Sequence, residues 1–214
     1  MLCSPEAADL ADLLVEGARF ELALTPKPGL VDRLDCGSHP DLTYEAMARS
    51  AGLLGVYFDE LVALRGPDCA RGAESGPLEA CVAAGRRAEA RMERAAGSNT
   101  HRGLIFLGGL SLLAACDACR GGGRRAESAL RSRASHLAHL FCGVAPSDRE
   151  HTAGEAARRE HGVRGIIGEA LAGLPSVFEA ALPAFRATLA RSRDRRRAAL
   201  RALAGLMGRV EATT

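Results

Sequence analysis

Ala96-Gly97-Ser98-Asn99-Thr100-His101-Arg102-Gly103-Leu104-Ile105-Phe106-Leu107-Gly108-Gly109-Leu110 is the stretch that decides how this chain is read. Gly97 marks a turn, polar and ionisable residues come after it, and the segment from Leu104 onward is too apolar to be anything but a buried helix. Hydrogen-bonding and charged groups therefore stand at the N-terminus of a core helix. Unpaired first-turn N–H groups and the helix dipole favour an anion there, Arg102 adds a fork of donors, and His101 supplies a proton carrier. The same residues also spell a capped core helix, with Asn99 or Thr100 as the cap and His101 as a structural histidine. From this stretch alone the two readings stand level.

Outward from it the chain is helical on both sides. Upstream, Pro77 and Glu79 open a helix with an apolar face of Leu78, Cys81, Val82, Gly85 and Met92. Glu89 lies one turn before Met92, either pointing inward with the Asn99 loop or lying on the surface among Arg86, Arg87, Arg91 and Arg94. Earlier still, Leu10, Leu13, Leu14 and Ala18 mark a first helix, and Met47, Ala51, Leu54, Phe58, Leu61 and Val62 a second that Gly66-Pro67 stops. Downstream, Gly121-Gly122-Gly123 breaks the chain before a helix with Leu130, Ala134, Leu137 and Phe141. His136 and His139 sit on it without a carboxylate partner, which argues against a metal pair. Ser147 to Glu150 and Ser176 to Glu179 match capping boxes, and between them His161-Gly162-Val163-Arg164-Gly165-Ile166-Ile167-Gly168-Glu169-Ala170 spaces glycines by threes around an arginine and a glutamate. Pro183 kinks or restarts the next helix, the last helix shows Leu200, Leu203, Leu206, Met207 and Val210 on one face, and the arginine-rich run 191–197 before them reads as a solvated helix face in preference to a polyanion site. No period-two alternation occurs anywhere. The expectation is an all-α fold: residues 1–214 as a single-domain bundle of seven to eight helices around a buried central one.

Composition excludes several functions. A net charge of +2 with 25% charged residues gives no electrostatic case for nucleic-acid binding, and aromatics at 4% with no Trp supply no stacking platform. Seven cysteines, an odd number without a paired framework, fit a reducing compartment, so a cytoplasmic protein is expected; Cys116 and Cys119 read as packing. Glu6, Asp9 and Asp12 occupy the place of a signal peptide's basic and apolar regions, and Leu104 to Cys116 is too short to span a bilayer, so no membrane partner is expected. A homodimer is admitted but not required.

A second unusual stretch is Thr25-Pro26-Lys27-Pro28-Gly29-Leu30-Val31-Asp32, in which two prolines stiffen the backbone and present Lys27 at low conformational cost. Lys27 is the only lysine and Asn99 the only asparagine of the chain, so both sit in its least ordinary segments. Asp32, Asp35, His39 and Asp41 come within ten residues, a density that can hold Mg²⁺ or position a general base. Alternatively this is a solvated loop with Asp41 or Thr43 capping the next helix.

Together, Thr25 to Asp32, Gly37-Ser38-His39-Pro40-Asp41, Ala88-Glu89 with Met92, Asn99 to Gly103 with Ile105-Phe106, and Arg164-Gly165 with Gly168-Glu169-Ala170 and Pro175 resemble the triphosphoribosyl-dephospho-CoA synthases. The motifs come in that family's order over roughly residues 10–210. The resemblance implies an all-α transferase that joins ATP to 3′-dephospho-CoA with release of adenine, making the prosthetic-group precursor for the acyl carrier subunit of citrate lyase or malonate decarboxylase. Arg102, where many members have lysine, resembles the malonate decarboxylase branch. That chemistry needs a carboxylate base for the 2′-hydroxyl, a proton for the departing purine, and cations with Mg²⁺ for the triphosphate. The resemblance assigns Lys27, Arg102 and Arg164 to phosphates, with His39, Asn99 and Thr100 also at the nucleotide. It assigns Asp41, Glu89, His101 and Glu169 to catalysis, and Asp32, Asp41, Glu89 and Glu169 to the metal. The family pattern continues with Asp-Thr-Asn and Arg-Gly-Gly segments that are not seen before Thr214, so the chain reads as shortened. A diverged, non-catalytic nucleotide- or CoA-binding protein, or a transferase for another phosphoribosyl or pterin-like substrate, is the alternative expectation.

Overall fold

The computed structural model describes residues 5–65, 76–98, 100–120, 127–144 and 165–209. Among them every regular element is helical and no strand occurs, as the sequence predicts. The chain divides into two compact units, Met1–Ala145 and Pro146–Thr214.

The first unit contains α1 (Pro5–Leu22), α2 (Tyr44–Ala51), α3 (Leu53–Leu64), α4 (Gly76–Ala96), α5 (Arg102–Arg120) and α6 (Glu127–Val144). Helices α3 and α5 are its centre: α3 packs on α1, α4 and α5, and α5 also meets α1, α4 and α6. Leu54, Phe58, Leu61, Met92, Leu110, Leu112 and Leu137 are its fully buried large side chains. Gly109 lets α5 lie close to α3. A Cβ there would come within 2.2 Å of the Tyr57 hydroxyl oxygen, and that hydroxyl donates to the Ile105 carbonyl at 3.0 Å. A side chain at 109 would separate the helices and leave a buried phenol without its acceptor.

Two helix faces differ from their sequence reading. On α1 the buried stripe is Ala7, Ala11, Val15, Ala18 and Leu22, whereas Leu13 is 60% exposed. Small side chains let α1 approach its neighbours, so the stripe turns to them and the larger leucines fall to its flanks and outside. The face from Met47 to Val62 is interrupted at Gly52, which separates α2 from α3. Thr43 caps α2, its hydroxyl accepting from the Ala46 amide at 3.1 Å.

A part-buried ion network that the sequence did not reveal ties three helices together. Arg65, at the end of α3, grips Asp117 of α5 through two bonds of 2.9 and 2.6 Å, and Arg133 of α6 reaches the same carboxylate at 2.5 Å. Burial alone would raise the Asp117 carboxyl, but hydrogen bonds from Arg65 and Arg133 overcome it and hold the group below its ordinary value.

The second unit contains α7 (Gly165–Leu171), a π-helical turn (Ser176–Ala181), α8 (Leu182–Ser192) and α9 (Arg195–Met207). Helices α8 and α9 pack on each other, and the π-turn on both. Two sequence expectations change here. Ser176 caps nothing with its oxygen; its amide, at 2.8 Å, and its hydroxyl both donate to Glu169 Oε1. The arginine-rich run is not one helix face either. Arg193 takes the left-handed conformation at φ 53° and ends α8, and Asp194 caps α9 by accepting from the Arg197 amide at 3.0 Å. A carboxylate that can cap a helix splits what charge patterning alone reads as continuous. Pro183 opens α8, where its missing N–H is tolerated.

No single described helix is long and apolar enough to cross a membrane; α7 and Ser176–Ser192 reach such hydropathy only when taken together across a 79° bend.

Candidate functional site

The loop between α1 and α2 is built around Asp32. This carboxylate, 4% exposed, accepts from the backbone amides of Lys27 at 2.7 Å, Leu34 at 2.6 Å and Asp35 at 3.3 Å. The Leu34 hydrogen bond is the largest of the effects that hold its pKa below the usual carboxylate range; burial opposes it, and the Lys27 and Asp35 amides and the Lys27 charge assist. Asp35 does the same job for Gly37, whose amide it accepts at 2.7 Å. Gly37, at φ +57°, lies against Gly29 so closely that a Cβ would be 2.3 Å from the Gly29 carbonyl carbon. The Ser38 amide then donates to the Gly29 carbonyl at 3.1 Å and closes the loop on itself.

Lys27 departs from its expected presentation. Its side chain is only 2% exposed, and its ammonium pairs with Glu21 of α1 at 2.6 Å. The lysine's charge is already compensated, and the prolines that stiffen the segment direct it inward. Asp32 likewise uses both oxygens on backbone amides, which accounts for an aspartate here by loop construction alone. His39 is half-buried and Asp41 exposed in the turn leading to α2.

At the junction of α4 and α5 the level readings of Ser98 to Arg102 resolve into one residue of each kind. His101 is buried, at 7% exposure. Its Nδ1 lies 2.9 Å from the Thr100 hydroxyl and 3.1 Å from that of Ser50, and the two hydroxyls are 2.6 Å apart. Ser50 also donates to the Met47 carbonyl at 3.1 Å. This triangle joins the end of α2 to the start of α5. Burial pushes the imidazole down to about 4, so at neutral pH His101 is uncharged. It is a positioning group for the helix end rather than a charged proton donor. Ser50, fully buried, was not anticipated; its signal was a lone hydroxyl at helical spacing within the apolar face of Met47, Ala51 and Leu54.

Arg102, by contrast, points outward. It is 53% exposed, and its Nε stands 3.7 Å from Glu89 Oε1, whose side chain is 31% exposed. Glu89 thus lies half-buried beside Arg102, between the inward and the surface reading. The negative charge of Glu89 also reaches inward: burial is the main cause that raises the Tyr57 hydroxyl's pKa, with Cys81, Glu89 and Glu60 adding to it. A neighbouring group, Glu60 with Arg87 at 2.5 Å and Arg91 at 3.5 Å, continues the charged surface along α3 and α4.

Asn99 and Arg164 lie outside the described residues. Glu169 is in the second unit, where Oε1 fastens Ser176. Among the described residues no three side chains of His, Cys, Asp or Glu gather so as to hold a metal ion. Within the first unit, Asp32, Asp41 and Glu89 do not gather into such a cluster. Asp32 is fastened to its own loop, and Glu89 faces a guanidinium.

Fold and site define an all-α protein in which a carboxylate and a guanidinium meet outside a neutral, buried histidine at the start of the central helix. The chain belongs to the ATP:dephospho-CoA triphosphoribosyl transferase family, whose model matches residues 7–214. It is 36% identical over 211 residues to a probable 2-(5''-triphosphoribosyl)-3'-dephosphocoenzyme-A synthase of Azotobacter vinelandii, covering 97% of this chain and 69% of that protein. A protein of the same probable function from Citrobacter koseri is 36% identical over 181 residues, 81% of this chain and 58% of its own length. The 2-(5''-triphosphoribosyl)-3'-dephosphocoenzyme-A synthase of Klebsiella pneumoniae is 37% identical over 188 residues, 87% and 64% respectively. The chain thus spans between 58% and 69% of the length of these relatives. No solved structure matches it.

Proposed function

We propose that this chain acts in the transfer of the 5′-triphosphoribosyl group of ATP to the 2′-hydroxyl of 3′-dephospho-CoA. In that reaction the bond between C1′ and the adenine nitrogen breaks, the 2′-oxygen of dephospho-CoA bonds to C1′, and the hydroxyl proton is taken up as adenine leaves. Family membership along residues 7–214 is the observation that carries the reading.

Within the first unit, Glu89 is the carboxylate best suited to accept the hydroxyl proton. It is half-buried and stands beside the exposed Arg102 guanidinium at the start of the central helix, whereas Asp32 is buried within its own loop. Arg102 is the matching phosphate ligand: partly exposed, at a helix N-terminus, and held only loosely by Glu89. His101, neutral with its Nδ1 turned to Ser50 and Thr100, fixes the helix end on which Arg102 stands. Asp41, exposed, belongs to the same reading as a catalytic or metal-binding carboxylate, and His39, half-buried, as a nucleotide contact. Mg²⁺ arrives with the triphosphate; the described side chains supply no cage for it. Among the described residues Cys36, Cys81, Cys116 and Cys142 stand outside any disulfide, which supports a reducing, cytoplasmic setting.

The test is release of free adenine when the protein is mixed with ATP, Mg²⁺ and 3′-dephospho-CoA, read by chromatography. Adenine in equal amount to the triphosphoribosylated product is expected. Absence of adenine with Mg²⁺ or Mn²⁺ would overturn the reading.

A further inference from the structure

The turn between α8 and α9 creates a basic cleft that none of the family-motif residues occupies. Splitting the arginine-rich run at Arg193 and Asp194 folds its two ends toward each other. Arg191 and Ser192 of α8, with the buried Thr188 one turn earlier, face Arg197, Leu200 and Arg201 of α9 across an open cavity of about 580 Å³. That volume is in the range of small-molecule sites, about 300–1,000 Å³.

Three guanidinium groups line it. Among the described residues no carboxylate engages any of the three, although Arg195 and Arg196 beside them do have partners. Between residues 165 and 209 there are eight arginines against three carboxylates, Glu169, Glu179 and Asp194. Glu169 fastens Ser176, Glu179 stands 4.0 Å from Arg209, and Asp194 caps α9, so each is engaged away from the cleft. Arg197 and Arg201 lie four residues apart on one helix face, a like-charge spacing that is unfavourable until an anion fills it. Fork-shaped donors converging on one cavity suit phosphate oxygens, and three of them are more than a single phosphate requires.

We propose that the α8–α9 cleft binds a phosphoanhydride chain, the feature shared by the triphosphate of ATP and the diphosphate of dephospho-CoA. The cleft stands apart from Glu89 and Arg102 in sequence and does not depend on adenine release.

The test is isothermal titration of the full chain with inorganic tripolyphosphate, ATP and dephospho-CoA, with adenosine as a phosphate-free control, repeated with Arg197→Ala/Arg201→Ala and with Arg197→Lys/Arg201→Lys. Both positions are exposed, so circular dichroism and thermal unfolding should match the parent. Tripolyphosphate is expected to bind, with affinity falling as salt rises, and to weaken at least tenfold in the alanine variant but less in the lysine variant. The natural source is whichever of ATP and dephospho-CoA loses affinity in the alanine variant and is displaced by tripolyphosphate. The proposal is overturned if the parent binds no tripolyphosphate, or if the alanine variant binds all three ligands as the parent does. Binding without adenine release would leave the cleft standing and remove the transferase reading instead.

Discussion

Two charged regions of the first unit carry the most distinctive sequence motifs, and they use their charges in opposite ways. In the α1–α2 loop the charges are absorbed into the structure. Lys27 is paired and buried, and Asp32 receives three amides. Asp35 holds the turn that lets Gly37 rest on Gly29. At the α4–α5 junction the polar groups divide instead. His101, Thr100 and Ser50 close on one another inside, while Arg102 and Glu89 stay outside and only loosely engaged with each other. Ionisable residues of equal prominence in sequence can therefore be scaffold or site, and what separates them is how fully the fold already uses their hydrogen-bonding capacity.

Filling Gly37 is the most severe way to break that loop. Gly37→Ala would drive a Cβ to within 2.5 Å of Gly29 and Leu30 backbone atoms and place a side chain at φ +57°. Neither backbone can give way without breaking the Ser38 to Gly29 hydrogen bond. A loss of about 3 kcal/mol or more is expected in urea unfolding. A loss below about 1 kcal/mol would mean that the loop is not a closed scaffold.

The inner half of the junction should show itself through pH. His101 titrates at about 4 in the folded protein and near 6.5 when unfolded, so between these values the unfolded chain binds more protons than the native one. Its contribution is complete above about pH 6.5 and is lost as pH falls toward 4, by up to about 3 kcal/mol. Urea midpoints measured across that window should fall for the parent and stay flatter for His101→Asn. Parallel curves would assign the acid sensitivity to other groups.

Lys27 tests the boundary between scaffold and site. Its partner Glu21 is 48% exposed and can return to water, so Lys27→Met, which keeps length and apolar volume, should cost at most about 1 kcal/mol. ATP affinity should persist. Loss of ATP affinity at unchanged stability would move Lys27 from the scaffold to the phosphates.

Much of the fold was legible because helical periodicity is a strong signal over long segments: α4 and α5 lie where the apolar spacing of Leu78 to Met92 and Leu104 to Cys116 puts them. What periodicity could not supply was which of several apolar stripes wins, as on α1, where close approach favoured alanines over Leu13. It also could not reveal contacts between distant positions. Arg65, Asp117 and Arg133 look like any surface charges until three helices bring them together. The candidate site was legible as a set of residues and not as a division of labour, since no local pattern says that Lys27 finds Glu21 or that His101 finds Ser50.

The weakest expected effect on stability belongs to Arg102, and it sharpens the comparison most. Its ion pair with Glu89 is long, at 3.7 Å, and more than half of the arginine side chain is exposed, so solvent screening leaves it worth within about 0.5 kcal/mol. Arg102→Ala and Glu89→Gln should therefore unfold at nearly the parent's urea concentration. If the junction is the working end of the protein, the same two variants should lose adenine release by about a hundredfold or more, Glu89→Gln through turnover as a missing base and Arg102→Ala chiefly through the Michaelis constant for ATP. A charge pair that contributes little to the fold yet is required for activity is one kept for a ligand. Unchanged adenine release by both variants would instead place this pair with the ordinary surface charges of Glu60 and Arg87.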